Sequence, residues 1–231
     1  VLTAYPLFFA FMADMVGGGF VLALGGFFTA LAAVDTANPY GPMGASRTRM
    51  VGFLAEPVFI IVFFTVAFVA DSTIPYIVQQ RWLSPPSNFL LPSHVLLMAS
   101  FFMLIIAEAG RIPVDNPSGH FELAMIEESK SLEYSGRGAA LMKWGGQMKM
   151  FILLCIFLNV LVTPWGLAEN LVLSEVLLAV LLVLSKIFLF VLVLVAIESS
   201  LAKLRLFRIG EFLGSAFITS VAAMIMRLFS L

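Results

Sequence analysis

This chain has very little of what a soluble protein uses to face water or to hold a metal. Only 12% of its residues are charged, against roughly a quarter in soluble domains. It contains a single cysteine, Cys155, so it has no internal disulfide, no CxxC motif and no Cys/His set for zinc or an iron–sulfur cluster. We therefore expect no metal and no redox cofactor in this chain.

The sequence also has no excess of positive charge and no catalytic motif. Its formal net charge is −1 and it has no basic stripe, which argues against a nucleic-acid partner. It has no nucleophile motif, P-loop or dinucleotide fingerprint, and the glycine clusters at 17–20 and 25–28 favour close helix packing instead. His94 and His120 are isolated, which favours satisfied or exposed histidines over metal ligands. A self-contained enzyme is not expected.

What the chain does have is long apolar runs. Hydrophobic residues make up 61% of its 231 residues, and its mean hydropathy is +1.04. A helix needs about 20 such residues to cross a bilayer, and an open sheet could not satisfy its backbone in lipid. Helices are predicted at 1–13, 16–34, 51–70, 89–107, 149–164, 174–199 and 211–229. The prediction is one all-α, polytopic integral membrane domain over residues 1–231, with about seven transmembrane helices.

The loops between these runs differ in charge. Loops 35–50, 108–148 and 200–210 hold nine basic residues, whereas loops 71–88 and 165–173 hold only Arg81. The nine are Arg47, Arg49, Arg111, Lys130, Arg137, Lys143, Lys203, Arg205 and Arg208. By the positive-inside rule the three basic loops face the cytoplasm. The chain begins at Val1 inside an apolar run, so we expect an N-terminal portion to be missing.

A polar island from Glu108 to Lys149 interrupts the apolar pattern. It holds six carboxylates, namely Glu108, Asp115, Glu122, Glu127, Glu128 and Glu133. Residues 120–134 are predicted as an amphipathic helix at the cytoplasmic surface, with Phe121, Met125 and Leu132 in an apolar stripe. Carboxylates beside such a stripe have raised pKa values if buried, as proton transfer requires. A solvated charged face is the alternative.

Two ionisable residues inside apolar runs are candidates for a functional role. Lys186 lies eleven residues after Glu175 and twelve before Glu198, so it is about 17 Å from either. Such a lysine either relays protons or holds helices together through a neighbouring partner. Glu56 precedes Pro57 near the start of its run, where it either pairs with a nearby arginine or marks the mouth of an ion path.

The segment RIPVDNP at 111–117 forms a rigid entry to the surface helix. Pro113 and Pro117 lack amide donors and disfavour a helix before them. Asp115 lies four residues after Arg111, and we expect the two side chains to pair. That pairing is expected to be mostly structural.

Three stretches together resemble a known family: DTANPYGPMGASRTRMVGFLAEP at 35–57, EAGRIPVDNPSGHFELAMIEESKSLEYSG at 108–136 and IESSLAKLRLFRIGEFLG at 197–214. They are similar to the membrane subunit of group 4 energy-converting [NiFe] hydrogenases and formate hydrogenlyases, which is related to the NADH-quinone oxidoreductase subunit 1 family of complex I. The resemblance covers most of the chain. One departure is Glu127, where hydrogenase-type members often have histidine.

The resemblance implies a subunit without redox cofactors, in the plasma membrane of a prokaryote, that docks a peripheral arm. It implies NiFe and iron–sulfur clusters in partners: large and small hydrogenase subunits, an iron–sulfur subunit and antiporter-like membrane subunits. By the resemblance, Glu108, Arg111, Asp115, Glu122, Glu128 and Glu133 match the family's charged cytoplasmic cavity, and Glu56, Glu127, Lys186 and Glu198 complete the predicted ion-coupling set. The implied docking residues are Arg47, Arg49, Arg137, Lys203, Arg205 and Arg208.

Two other functions fit parts of this pattern. The quinone-binding membrane subunit of a complex I-type NADH-quinone oxidoreductase would use the same charged region as a quinone pocket. An independent secondary transporter would need paired broken helices, which the sequence does not indicate. The main hypothesis is a membrane-anchor subunit that links redox chemistry in its partners to H⁺ or Na⁺ movement.

Overall fold

The computed structural model describes residues 14–83, 91–116, 125–168 and 172–229. Within these ranges the chain forms seven α-helices, which confirms the all-α prediction. In chain order they are α1 (Met15–Val34), α2 (Tyr40–Ala70), α3 (Pro75–Leu83), α4 (Pro92–Glu108), α5 (Gly136–Ile156, continued by a π-helical turn at Phe157–Val162), α6 (Leu173–Ser200) and α7 (Ile209–Phe229). Two short 3₁₀ turns lie at Glu128–Ser131 and Leu206–Arg208.

Five of these helices are long and apolar enough to cross a membrane: α1, α2, α5 with its π turn, α6 and α7. The shorter α4 is also apolar. We call the end of the bundle where α4 finishes and α5 begins the charged end. The predicted helix at 1–13 lies outside the described residues.

Several helices differ in length from the prediction. Helix α2 begins at Tyr40 and α5 at Gly136, each about three helical turns before its predicted start, and α3 occupies part of a predicted loop. Hydropathy detects only the apolar part of a helix, and these extensions are more polar. The start of α2 is favoured because Asn38 Oδ1 accepts a hydrogen bond from the Tyr40 amide at 2.9 Å.

Close packing of α1 on α2 depends on Gly19. A Cβ atom at this position would overlap the ring of Phe59, so only glycine lets the two helices approach this closely. The prediction that the first glycine cluster permits close packing is confirmed here. A Cβ atom at Gly25 or Gly26 would meet no other atom within 4 Å, so the second cluster makes no such contact with the described residues.

A layer of phenylalanine rings fills the centre of the bundle. Phe63 and Phe101 are fully buried, with ring centroids 5.4 Å apart, and Phe157 lies 5.7 Å from Phe101. Phe59, Phe102 and Phe190 extend the layer. Rings at these distances pack at an angle to one another, so the layer is a packed apolar zone between the two ends of the bundle.

The predicted surface helix at 120–134 is wrong in its described part. Residues 125–134 contain only the 3₁₀ turn at Glu128–Ser131, and Leu132 is 41% exposed. The cause is a tertiary contact. The Asp115 carboxylate accepts hydrogen bonds from the backbone amides of Ile126 and Glu127, so these amides cannot donate within a helix. Phe121 and Glu122 lie outside the described residues.

A charged cavity at one end of the bundle

A cavity of about 590 Å³ opens at the charged end. Helices α1, α2 and α5, the end of α4 and the segments that follow it all contribute to its wall. Its charged lining residues are Arg49, Glu56, Glu108, Arg111, Asp115, Glu127, Glu128, Lys130, Lys143 and Lys149. Five carboxylates thus face five basic groups, and the cavity is close to neutral despite its high charge density.

The inner part of the cavity carries two ion pairs. Arg49 contacts Glu56 with an N–O distance of 3.5 Å, so the expected arginine partner of Glu56 is confirmed. Lys149 of α5 pairs with Glu108, the last residue of α4. Glu56 also lines the cavity, so pairing with an arginine and a position on an ion path are compatible.

Asp115 joins three segments of the charged end. This residue is 2% exposed, and its carboxylate accepts hydrogen bonds from the amides of Ile126 at 3.1 Å and Glu127 at 3.0 Å. Lys203, in the segment after α6, donates to the other oxygen at 2.7 Å. These contacts fix the wall of the cavity, because a buried carboxylate with several donors holds each of them in place.

The predicted pairing of Arg111 with Asp115 is wrong. Arg111 instead contacts Glu198, in the last turn of α6, at 3.6 Å. The Val114 and Asp115 amides donate hydrogen bonds to the Arg111 carbonyl in a tight turn. The Arg111 side chain points away from this turn, toward α6. Glu198 therefore reaches the site through Arg111 and is not a lining residue of the cavity.

The 3₁₀ turn at Glu128–Ser131 supplies the outer wall. Lys130 pairs with Glu127, and Glu128 contacts Lys143 of α5 at 3.6 Å. The turn lies against α2, where a Cβ at Gly44 would overlap the Ser129 hydroxyl. Glycine at 44 is thus required for the turn to take this position.

Other predicted coupling residues are not brought into the cavity. Glu122 lies outside the described residues, and Glu133 is exposed and does not line it. Lys186 does not line it either and donates hydrogen bonds to groups at the end of α5.

The six predicted docking residues divide into two groups. Arg47 donates to the Met125 carbonyl at 3.2 Å, while Arg49 and Lys203 form the ion pairs described above. Their side chains are thus used within the chain. Arg137, Arg205 and Arg208 are exposed and form no ion pair within the described part of the chain. Of the six, these three are the ones available to a partner.

Sequence reasoning missed three lysines as members of the site, namely Lys130, Lys143 and Lys149. The charge balance of the polar island could have identified them, because its six carboxylates are accompanied by five basic residues. A buried or half-buried carboxylate requires a cation nearby, so the basic residues of the same island were the natural partners.

The arrangement provides a network of exchangeable ion pairs. Each lining carboxylate contacts a cation, so a change of charge nearby would alter the balance among these ion pairs. Glu56, Glu108 and Lys149 also line a narrow apolar crevice beside Gly19 and Phe59. Within the described residues no group of three or more His, Cys, Asp or Glu side chains could hold a metal ion.

Comparison with known proteins identifies the family to which this chain belongs. The sequence pattern of the NADH dehydrogenase family matches residues 5–228. Formate hydrogenlyase subunit 4 of Escherichia coli K12 is 33% identical over 195 residues, which cover 84% of this chain and 62% of that protein. Hydrogenase-4 component C of the same organism is 36% identical over 213 residues, covering 87% of this chain and 64% of the relative.

The chain therefore spans a little under two thirds of the length of these two relatives. The expected resemblance to hydrogenase-type membrane subunits is confirmed by both of them. With nearly its whole length matched by the family pattern, this chain belongs to the NADH dehydrogenase family of complex I-like membrane proteins.

Proposed function

We propose that this chain is the membrane-anchor and ion-coupling subunit of a hydrogenase-like complex. On this proposal a peripheral arm docks at the charged end and carries out the redox chemistry, and this chain links that chemistry to H⁺ or Na⁺ movement. The names of both relatives, a formate hydrogenlyase subunit and a hydrogenase-4 component, favour the hydrogenase branch over a quinone-binding subunit of complex I.

The observation that carries the proposal is the Glu108–Lys149 pair at the inner wall of the cavity. The pair joins α4 to α5, and both side chains are only partly exposed, at 18% for Glu108 and 25% for Lys149. Removal of water strengthens such a pair, so a change of charge nearby alters the balance between its paired and separated states. A pair of this kind can transmit a charge change in the cavity to the packing of two helices.

The proposed partners are large and small hydrogenase subunits, an iron–sulfur subunit and antiporter-like membrane subunits. NiFe and iron–sulfur clusters would belong to the soluble partners. The charged end would face the cytoplasm of a prokaryote from its plasma membrane, in line with the excess of basic residues in its loops. The exposed Arg137, Arg205 and Arg208 would contact the docked arm.

The proposal is tested by separating redox activity from ion movement. Everted membrane vesicles containing the assembled complex are compared for dye-linked hydrogenase activity, which needs only the peripheral arm, and for ion uptake driven by the physiological donor. Glu108→Gln and Lys149→Met should retain the first activity and lose most of the second. Glu211→Gln is the matched control, because Glu211 is an exposed carboxylate of α7 that does not line the cavity.

Ion uptake at the wild-type level in both Glu108→Gln and Lys149→Met would contradict the coupling role. A parallel loss of dye-linked activity would instead indicate that the arm no longer docks. Co-purification of the soluble subunits with each variant distinguishes these two results.

A further inference from the structure

A second polar cluster lies on the other side of the phenylalanine layer, where α5 stops. The π turn of α5 ends at Val162, and the chain continues without helix through Thr163 and Pro164. Four polar side chains from four elements meet at this break: Gln79 of α3, His94 of α4, Asn159 of the π turn and Lys186 of α6. We call these four residues the break cluster.

Lys186 makes the most contacts in the break cluster. Its ammonium group donates to Asn159 Oδ1 at 3.2 Å, to the Thr163 carbonyl at 2.8 Å and to the Trp165 carbonyl at 2.6 Å. Three donors of an ammonium group thus meet three oxygen acceptors. Lys186 takes part in none of the ion pairs of the described residues, and the three acceptors around its ammonium group are neutral oxygens.

Two buried side chains hold neighbouring carbonyls of the same break. His94, which is 2% exposed, bonds the Leu161 carbonyl through Nε2 at 2.9 Å. Gln79, which is 1% exposed, donates to the Pro164 carbonyl. The side-chain oxygen of Gln79, Oε1, is buried and accepts no hydrogen bond within the described residues. Leu161 and Pro164 thus each have their carbonyl held by a buried side chain.

The break cluster is separate from the charged cavity. His94 and Glu108 lie near opposite ends of α4, and fourteen residues of helix place them about 21 Å apart. The phenylalanine layer around Phe101 lies between them. Lys186 is also about 20 Å from either end of α6, so it lies at the middle of that helix.

A helix that ends against the middle of a neighbouring helix, as α5 ends against α6, favours positive charge at its last turn. Its last carbonyls have no partner within the helix and carry the negative end of the helix dipole. In an apolar environment each unsatisfied carbonyl is costly, and half-helix C-terminal ends in membrane transporters bind monovalent cations for this reason.

We propose that the oxygens of Asn159, Thr163 and Trp165 form a binding site for a monovalent cation of the primary-ammonium class, with Lys186 as its built-in occupant. The occupied site locks the broken end of α5 to α6 and closes the bundle on the side opposite the charged cavity. This proposal does not depend on the identity of the redox partners. It assigns Lys186 a role different from that of the cavity carboxylates.

The test is chemical rescue of the full-length chain in its native membranes. Lys186→Ala keeps Cβ and removes the four atoms that n-propylammonium would replace. Lys186→Met removes the charge but fills the same space. Both variants should lower the midpoint of thermal unfolding by about 5 °C, measured as loss of detergent-soluble chain on heating. Millimolar n-propylammonium should reverse at least half of this decrease in the unfolding midpoint of Lys186→Ala and none of it in Lys186→Met.

Three controls sharpen the result. Tetramethylammonium has no N–H donor and should not rescue either variant, and Ser185→Ala, at the neighbouring exposed position, should unfold like the wild type. Asn159→Leu removes one acceptor while keeping the lysine, and it should show a smaller loss that n-propylammonium does not repair. If Lys186→Ala fails to accumulate, growth of the cells with n-propylammonium should restore its accumulation.

Two results would overturn the proposal. One is an unfolding midpoint of Lys186→Ala and Lys186→Met equal to that of the wild type. The other is a loss in Lys186→Ala, whether of stability or of accumulation, that n-propylammonium does not relieve. An equal effect of tetramethylammonium would also contradict a site that recognises N–H donors.

Discussion

Lys149 of α5 forms an ion pair with Glu108, the residue at which α4 ends. The two residues lie 41 positions apart in the sequence, and the pair connects the charged cavity with the apolar crevice beside α1. It therefore lies where the charged cavity meets the apolar interior. The pair is a structural contact as well as a candidate coupling element.

Removing both members of this pair should destabilise the chain by less than the sum of the two single removals. Glu108→Gln and Lys149→Met each leave a partly buried group without its partner, which should cost about 2 kcal/mol. The double variant removes both charges, so its free energy of unfolding should exceed the value expected from independent losses. A double-mutant cycle on the solubilised complex measures this difference. Additive effects would show that the two side chains do not interact.

Asp115→Asn should loosen the outer wall of the cavity. The amide keeps the shape of the carboxylate but loses its charge and one acceptor, so its contacts with Lys203 and with the Ile126 amide weaken. The expected cost is about 2 kcal/mol. Hydrogen exchange at residues 125–131 should become faster. Asp71→Asn is the control, because Asp71 forms only an exposed pair with Arg81. Unchanged exchange in Asp115→Asn would contradict the role given to Asp115.

Two glycines of α1 should respond differently to the same substitution. Gly19→Ala places a Cβ against the Phe59 ring and should destabilise the packing of α1 on α2 by about 2 kcal/mol. Gly25→Ala meets no atom within 4 Å and should be neutral or stabilising by up to about 1 kcal/mol. Thermal unfolding of the two variants side by side checks this contrast. Equal midpoints would show that the close approach at Gly19 is not required.

The exposed basic residues near α7 should matter for association with soluble partners. Arg205 and Arg208 flank Phe207, which is 91% exposed. The double substitution Arg205→Ala and Arg208→Ala should reduce the amount of soluble subunit retained on washed membranes several-fold, with a greater effect at low salt, where charge attraction is less screened. Arg47→Ala would instead remove a contact within the chain, because Arg47 donates a hydrogen bond to the Met125 carbonyl. Retention at the wild-type level would exclude this surface from docking.

The secondary structure was predictable where hydropathy alone decides it. The runs at 16–34, 174–199 and 211–229 agree closely with α1, α6 and α7, because an apolar stretch in lipid has to form a helix. The starts of α2 and α5 were not predictable in this way. Their first turns are more polar and extend beyond the apolar part of the bundle.

The residues of the site were partly predictable, but their pairing was not. Charge in an apolar chain singled out Glu108, Asp115 and Glu128. Which cation each one contacts depends on where helices distant in sequence come together. Arg111 was expected to pair with Asp115 and pairs with Glu198 instead. The cation that pairs with Asp115 is Lys203, 88 residues away in the sequence.

The sequence by itself determined that this chain is an all-helical membrane protein with a polar island at one end, because burial of apolar residues and of backbone groups leaves no other solution for such long runs in lipid. Only the tertiary structure decided that Asp115 keeps residues 125–127 out of a helix. It alone placed Lys186 at the broken end of α5 and not in the charged cavity. Both outcomes depend on contacts between distant segments, and no local pattern of residues encodes them.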